Sequence, residues 1–383
     1  MFGLIWALLS TAWAAQIVVQ LKDDVPLDQF SIQYARGIGS QYSEMAETFT
    51  IGSFRAFSGE FSPEILRKLF NDPQVAAISR DKLLQLQEIV LQSQAPQHLV
   101  GLSSVSPQSH QPFIYRADAG NGVDVYVLDS GIDINHPNLQ NVNILQLADL
   151  TNQPMPQGTD PHGHGTAMAG LIAAETFGVI KKCNLVDVRV ADSNGTVKMT
   201  ALLAALSITQ QHIEKTKRPS VVVIPIGLPE SGVNPIIRDA ISNFNADVSI
   251  IIAAGNQASD ACQYCLASIR PKSPNVLVAG AVDSHNEPAP FTNFGSCVDI
   301  YTAGLDVTTI QSTDTSSDTL TRRVSGTSAS GAITAGVVGY YMSLGLSSMQ
   351  AIEKVLTYSK CTNTFANQMP NSNQCAKLLQ LLP

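Results

Sequence analysis

Charge is scarce in this chain of 383 residues: Asp, Glu, Lys and Arg together make up 14% of it, against 44% apolar residues. The basic residues gather in no cluster. With a formal charge of −8 and a pI near 5.3, that argues against a nucleic-acid partner, because phosphate binding needs concentrated Lys and Arg. No apolar run is long enough to cross a bilayer, which argues against a membrane span. Cysteine is missing from the first 182 positions, and the six present begin at Cys183. Cys262 and Cys265 form a lone CxxC; no second CxxC or following His pair exists, so a zinc site is poorly supported.

What is present starts with "MFGLIWALLSTAWAA", a short apolar run closed by the small-x-small pattern Ala12-Trp13-Ala14. It reads as a secretory signal peptide over residues 1–15, though without a basic n-region beyond the terminal amine. Passage through an oxidising compartment would then favour disulfides. Residues 16–87 alternate strand-like runs with one amphipathic stretch, Ile65, Leu66 and Leu69 at helical spacing, as a small α+β unit would. The polar stretch "LQSQAPQHLVGLSSVSPQSHQP" has no hydrophobic period and reads as a linker or exposed loop.

Beyond it come short unbroken runs, "VDVYVLD", "NLVDVRVAD", "SVVVIPIG", "VSIIIAAGN" and "NVLVAGAV". Strands buried on both faces of a parallel sheet look like this. Helical candidates at 166–175, 199–213 and 234–244 fall between them, giving an α/β alternation with helices on both faces. In such sheets ligands gather at the carboxyl ends of the strands, so the polar residues there carry the functional question.

Asp129 ends the first of these runs in "VLDSGID", His164 precedes a helical stretch in "HGHGTAMAG", and Ser328 stands in "VSGTSASGAITAG" before another. Asn256 ends "IIIAAGN". Each has a plain structural alternative: a turn aspartate, a loop histidine, a helix N-cap serine. Together they offer a nucleophile, a base, a carboxylate to orient the base, and an amide donor for an oxyanion.

In that chain order, these motifs resemble those of the subtilisin-like serine proteases (the subtilase family), in the style of the proteinase K-like branch. D-[ST]-G-I, G-H-G-T and G-T-S are matched by Asp129–Ile132, Gly163–Thr166 and Gly326–Ser328, and A-A-G-N by Ala253–Asn256. "GSFRAFSGEF" is similar to the inhibitory propeptide pattern of that family, with Ala56 at a glycine position. The resemblance implies a signal at 1–15, a ferredoxin-like α+β propeptide at 16–90, and a parallel-sheet peptidase domain at 91–383. It implies Ser328 as nucleophile, His164 as general base, Asp129 as its orienting carboxylate and Asn256 in the oxyanion hole. Ile226, Gly227, Ala254 and Gly255 would line the substrate strand. It implies a monomeric secreted zymogen, extracellular or at the cell surface or alternatively in a vacuole-like compartment. Its partners would be protein or peptide substrates and its own propeptide, with no nucleic acid and no membrane. Self-cleavage would fall near Glu88–Gln92.

The resemblance also implies a Cys262–Cys297 disulfide, a local Cys361–Cys375 loop, and no required cofactor. A structural calcium site would use Pro274, Val276 and Asp299, although Asp299 suits an ordinary hydrogen-bonded turn as well. The chain departs from the family at Ala167, where a second histidine is usual. It departs again at Pro225-Ile226-Gly227-Leu228, in place of S-L-G-G, and after Ser328, where an expected proline is missing. Pro225 offers no N–H to a docking strand. Two other readings stay open: a binding protein on this scaffold that keeps its propeptide, and a metal-dependent hydrolase using His162 and His164. His162 alone reads as a loop residue. Asn194-Gly195-Thr196 is both a glycan acceptor sequon and a tight turn.

Overall fold

In the computed structural model, residues 16–27, 30, 47–81, 88–103, 111–152, 155–227, 234–245, 247–264, 266–362 and 376–381 are described. The first strand, β1 (Gln16–Leu21), turns Ile17, Val19 and Leu21 to one buried face, the period-2 pattern of a half-buried strand. It lies in an antiparallel sheet of order β2-β3-β1-β4, with β2 (Thr48–Ile51), β3 (Phe54–Glu60) and β4 (Val75–Arg80). Helix α1 (Pro63–Asn71) follows β3, capped by the Ser62 hydroxyl and started by Pro63. It buries Leu69 and packs Ile65 and Leu66 against the same core, as their spacing indicates. Ala56, at the glycine position of the pattern, is wholly buried in β3. The expected signal lies outside the described residues.

The chain divides into two compact units, Met1–Leu86 and Gln87–Pro383. In the second unit residues 91–103 of the expected linker are structured. Strand β5 (Ile89–Gln92) pairs antiparallel with β6 (Phe113–Arg116), and helix α2 (Gln97–Ser103) between them sends Leu99 and Leu102 into the main core. His98, also buried, meets the Phe177 carbonyl at 2.9 Å. A helix of two turns is too short to show a period, and its stability comes from this packing.

All five unbroken β-branched runs form strands of one sheet: β7 (Asp124–Asp129), β9 (Asn184–Arg189), β10 (Ser220–Ile224), β11 (Ser249–Ala253) and β12 (Val276–Val282). With β8 (Asn143–Asp149), β13 (Ile300–Ala303), β16 (Lys360–Thr362) and β17 (Ala376–Leu378), the order is β16-β17-β13-β12-β11-β10-β7-β9-β8. Every pairing from β8 to β17 is parallel, and only β16 runs against its neighbour.

Both faces are covered, which is why these strands are apolar throughout. Val125 and Val127 face a layer that includes α3 (His164–Ala173), α6 (Thr327–Ser343) and α7 (Ser348–Tyr358). Tyr126 and Leu128 face α4 (Met199–Thr216) and α5 (Pro235–Ser242). Helix α3 begins two residues before the expected start, because Gly163, at φ 79°, turns the chain into it. Helix α6 forms without the proline usual in the family and is buried along almost its whole length. A hairpin, β14 (Val307–Ile310) with β15 (Thr321–Val324), packs on α3.

Cys262 and Cys297 are bonded, with Cα atoms 5.3 Å apart. Cys183 is a buried free thiol and Cys361 is disulfide-bonded, while Cys265 and Cys375 lie outside the described residues. The expected calcium ligands do not fit a cation. The Asp299 carboxylate is taken by Arg270 Nε at 2.6 Å and the Val278 N–H at 2.9 Å, so a guanidinium already supplies the positive charge.

Candidate active site

Strand order reverses at β7: the chain passes from β7 to the edge strand β8, comes back to β9 beside β7, and then crosses to β10 on the other side. The carboxyl ends of β7 and β10 therefore flank the crevice where such sheets bind ligands. Asp129 is the last residue of β7 and Pro225 follows the last of β10.

The Asp129 side chain is 4% exposed and that of His164 is 32% exposed, so the carboxylate is sealed behind an imidazole that reaches the cleft. Nδ1 of His164 lies 2.8 Å from both carboxylate oxygens, and the Ser130 N–H donates to Oδ1 at 2.7 Å. This fixes the Nδ1–H tautomer and turns Nε2 outward. Burial works against protonating His164, but the charge and hydrogen bond of Asp129, with help from Asp160, outweigh it and raise the pKa; Arg322 opposes them.

Ser328 enters in the first turn of α6, beside the end of β10. Its hydroxyl donates to the Pro225 carbonyl at 2.7 Å and not to His164. Pro225 thus matters for its oxygen as well as for its missing N–H. The Ser328 N–H, one residue into the helix, has no intrahelical acceptor and is free to bind an anion. Asn256 follows β11, and its Oδ1 accepts from both the Thr327 N–H, at 2.9 Å, and the Thr327 hydroxyl, at 3.0 Å. With its oxygen so held, the amide NH2 is the face left for the cleft. Gly255, at φ 101°, is required before it, because a Cβ there would collide with the Asn293 amide.

The four residues expected along a substrate strand separate into two pairs. Ala254 and Gly255 have their main-chain groups committed: the N–H groups donate to the Ala279 carbonyl and the Thr327 hydroxyl, and the carbonyls accept from the Asn293 side chain and N–H. They can wall a cleft but cannot pair with a new strand without breaking these bonds. Ile226 and Gly227 make no main-chain hydrogen bond to another described backbone group, and Gly227 is exposed. Leu228 lies outside the described residues.

Among the supporting residues, Asp160 and Asn293 carry no motif of their own in the sequence, and Thr327 lies within G-T-S without its role being marked there. Asp160 is buried and accepts from the Ser130 hydroxyl, the Gly163 N–H, and the N–H and hydroxyl of Thr166, which ties the start of α3 to the end of β7. Thr327 orients Asn256, and Asn293 clamps the loop below it through the N–H groups of Gln257 and Ser259. Their only signal in sequence was a polar side chain beside a glycine-rich motif. Ala167, where histidine is usual, is wholly buried among α3 and core residues. The His162 ring stands 6.1 Å from that of His164, and among the described residues no three His, Cys, Asp or Glu side chains group to hold a metal. Asn194 sits exposed in a turn closed by Asp192 Oδ1.

The subtilase family (Peptidase_S8) matches residues 120–373, and the peptidase inhibitor I9 family matches residues 10–87. The chain belongs to the subtilase family. It is 33% identical to the subtilisin-like protease 2 of Pseudogymnoascus destructans, over 83% of this chain and 74% of that one. It is 32% identical to a cuticle-degrading serine protease of Arthrobotrys oligospora, over 81% of this chain and 72% of that one. A cold-adapted subtilisin-like serine proteinase of known structure matches its fold with a TM-score of 0.66 at 24% identity, over 76% of this chain and all of that one. This subtilase is a serine endopeptidase made as a zymogen, with an I9 inhibitor unit ahead of its peptidase domain.

Proposed function

We propose that Ser328, His164 and Asp129 form the catalytic triad of this protease, with Asn256 and the Ser328 N–H as its oxyanion hole. The observation that carries this reading is the His164–Asp129 pair at 2.8 Å, with the imidazole facing the cleft where α6 delivers Ser328. For reaction the Ser328 hydroxyl turns from the Pro225 carbonyl to His164 Nε2 by a change of rotamer. His164 takes the proton as Oγ attacks the scissile carbonyl, Asp129 stabilises the resulting imidazolium, and the proton passes to the leaving amine. Water then hydrolyses the acyl-enzyme by the same route in reverse. The substrate's acyl side runs along Ile226 and Gly227, walled by Ala254 and Gly255.

Maturation, in this reading, cuts within Glu88–Gln92 after residues 1–15 have directed secretion. Strand β5 must leave β6 for that bond to be attacked, and its remainder can pair again afterwards. Among the described residues no helix is long and apolar enough to cross a membrane. The test is labelling of the mature protein with a fluorophosphonate, combined with sequencing of its N-terminus. Labelling lost in Ser328→Ala, on a chain beginning within 88–92, is the expected result. Wild-type protein that stays unlabelled after separation from its inhibitor unit would overturn the triad.

A further inference from the structure

Close to His164, on the hairpin strand β15, stands a guanidinium that the chemistry above does not use. Arg322 is half-buried and has no ion pair with a described carboxylate, whereas its neighbour Arg323 is exposed and paired with Asp306 at 2.6 Å. The other arginines around the sheet are likewise engaged: Arg189 with Asp149, Arg270 with Asp299, Arg218 with Asp124. Arg322 leans over the turn into α3: a Cβ on Gly163, the residue before His164, would stand 3.3 Å from its Nη1. It is also near enough for its charge to act on the His164 ring.

A cation held in a partly desolvated cleft without a partner favours a ligand that brings negative charge. In the triad reading the acyl half of a substrate runs along Ile226 and Gly227 at the end of β10, whereas the β14–β15 hairpin packs on α3, the helix that His164 begins. With one half of the substrate so placed, we assign Arg322 to the other, the half that leaves as the amine. We propose that Arg322 is a specificity-determining residue that selects Asp or Glu within the first two positions after the scissile bond. This rests on the triad reading given above.

The experiment uses mature protein and internally quenched peptides that differ only by Glu, Gln or Lys at those two positions, with a second series varied before the cut. Wild type should show kcat/KM for Glu over Lys of about twofold to fivefold at low ionic strength, the range of a partly exposed ion pair, shrinking as salt is added. Arg322→Gln should bring that ratio close to one, and Arg322→Glu should invert it, an outcome that misfolding cannot imitate. The acid limb of the pH profile should move to higher pH in Arg322→Gln, because a charge that disfavours the imidazolium is gone. Equal cleavage of Glu and Lys peptides by wild type, a preference that survives Arg322→Gln, or a preference confined to the acyl side would overturn the proposal. Failure to cleave any peptide or to react with a fluorophosphonate would overturn the triad reading and this one with it; cleavage without discrimination overturns only Arg322.

Discussion

A carboxamide can stabilise an oxyanion only if something else holds its oxygen, since a free amide presents either end. In Asn256 both acceptor sites of Oδ1 are filled by Thr327, whose hydroxyl in turn accepts from the Gly255 N–H. Asn256→Ala is expected to lower kcat by about 10²–10³ with little change in KM, because the lost hydrogen bond forms only once charge develops. Thr327→Val keeps the shape and removes one of the two holds on Oδ1, leaving the backbone bond. Steady-state kinetics should show a smaller fall, roughly tenfold, again in kcat. An equal rise in KM would mean that these residues bind the ground state instead. His164 must be neutral to act as base, and Asp129 raises its pKa. The acid limb of kcat/KM should accordingly lie above the ordinary imidazole value of about 6.5.

Elements differed in how far the sequence announced them. The parallel strands were legible because burial on both faces leaves an unbroken β-branched run and little else. Strand β8, at the sheet edge, mixes exposed and half-buried residues and gave no such run. Helix α2 was invisible for another reason: seven residues containing Gly101 and His98 carry no period, and only contact with the core makes them helical. The site divides along the same line. Asp129, His164, Asn256 and Ser328 sit at element ends inside local motifs, as does Thr327, whereas Asp160 and Asn293 act through hydrogen bonds to distant segments that no local pattern encodes. If α2 belongs to the core, Leu99→Ala should cost about 2–5 kcal/mol of stability. Denaturant unfolding in a Ser328→Ala background, where self-digestion is suppressed, measures this. A loss well below that range, close to the scatter of surface substitutions, would return the segment to the status of a surface linker.

At the scale of the whole molecule, the sheet that presents the site also buries an ionisable carboxyl group beneath it. Asp187, in β9 between β7 and β8, is 1% exposed, and no well-aligned hydrogen bond reaches either carboxylate oxygen, the Ile132 N–H being near enough only to oppose protonation weakly. Burial, more than the nearby Asp160 and Asp129, pushes its pKa up to about 8 despite the attraction of Arg189. In the unfolded chain the same group ionises near 3.8. Between those values the folded state holds a proton that the unfolded state has released, so stability falls as pH rises through this window and levels off above about 8. Across the window each pH step of one costs about 1.4 kcal/mol, so the loss accumulates to several kcal/mol by the time both states are ionised. Asp187→Asn removes the titration while keeping the shape. Melting curves in the Ser328→Ala background should show the variant gaining on its parent steadily as pH rises from the ordinary carboxylate range to about 8. A difference between the two that does not vary with pH would show that Asp187 does not titrate in this window, and that the core tolerates its charge by means other than protonation.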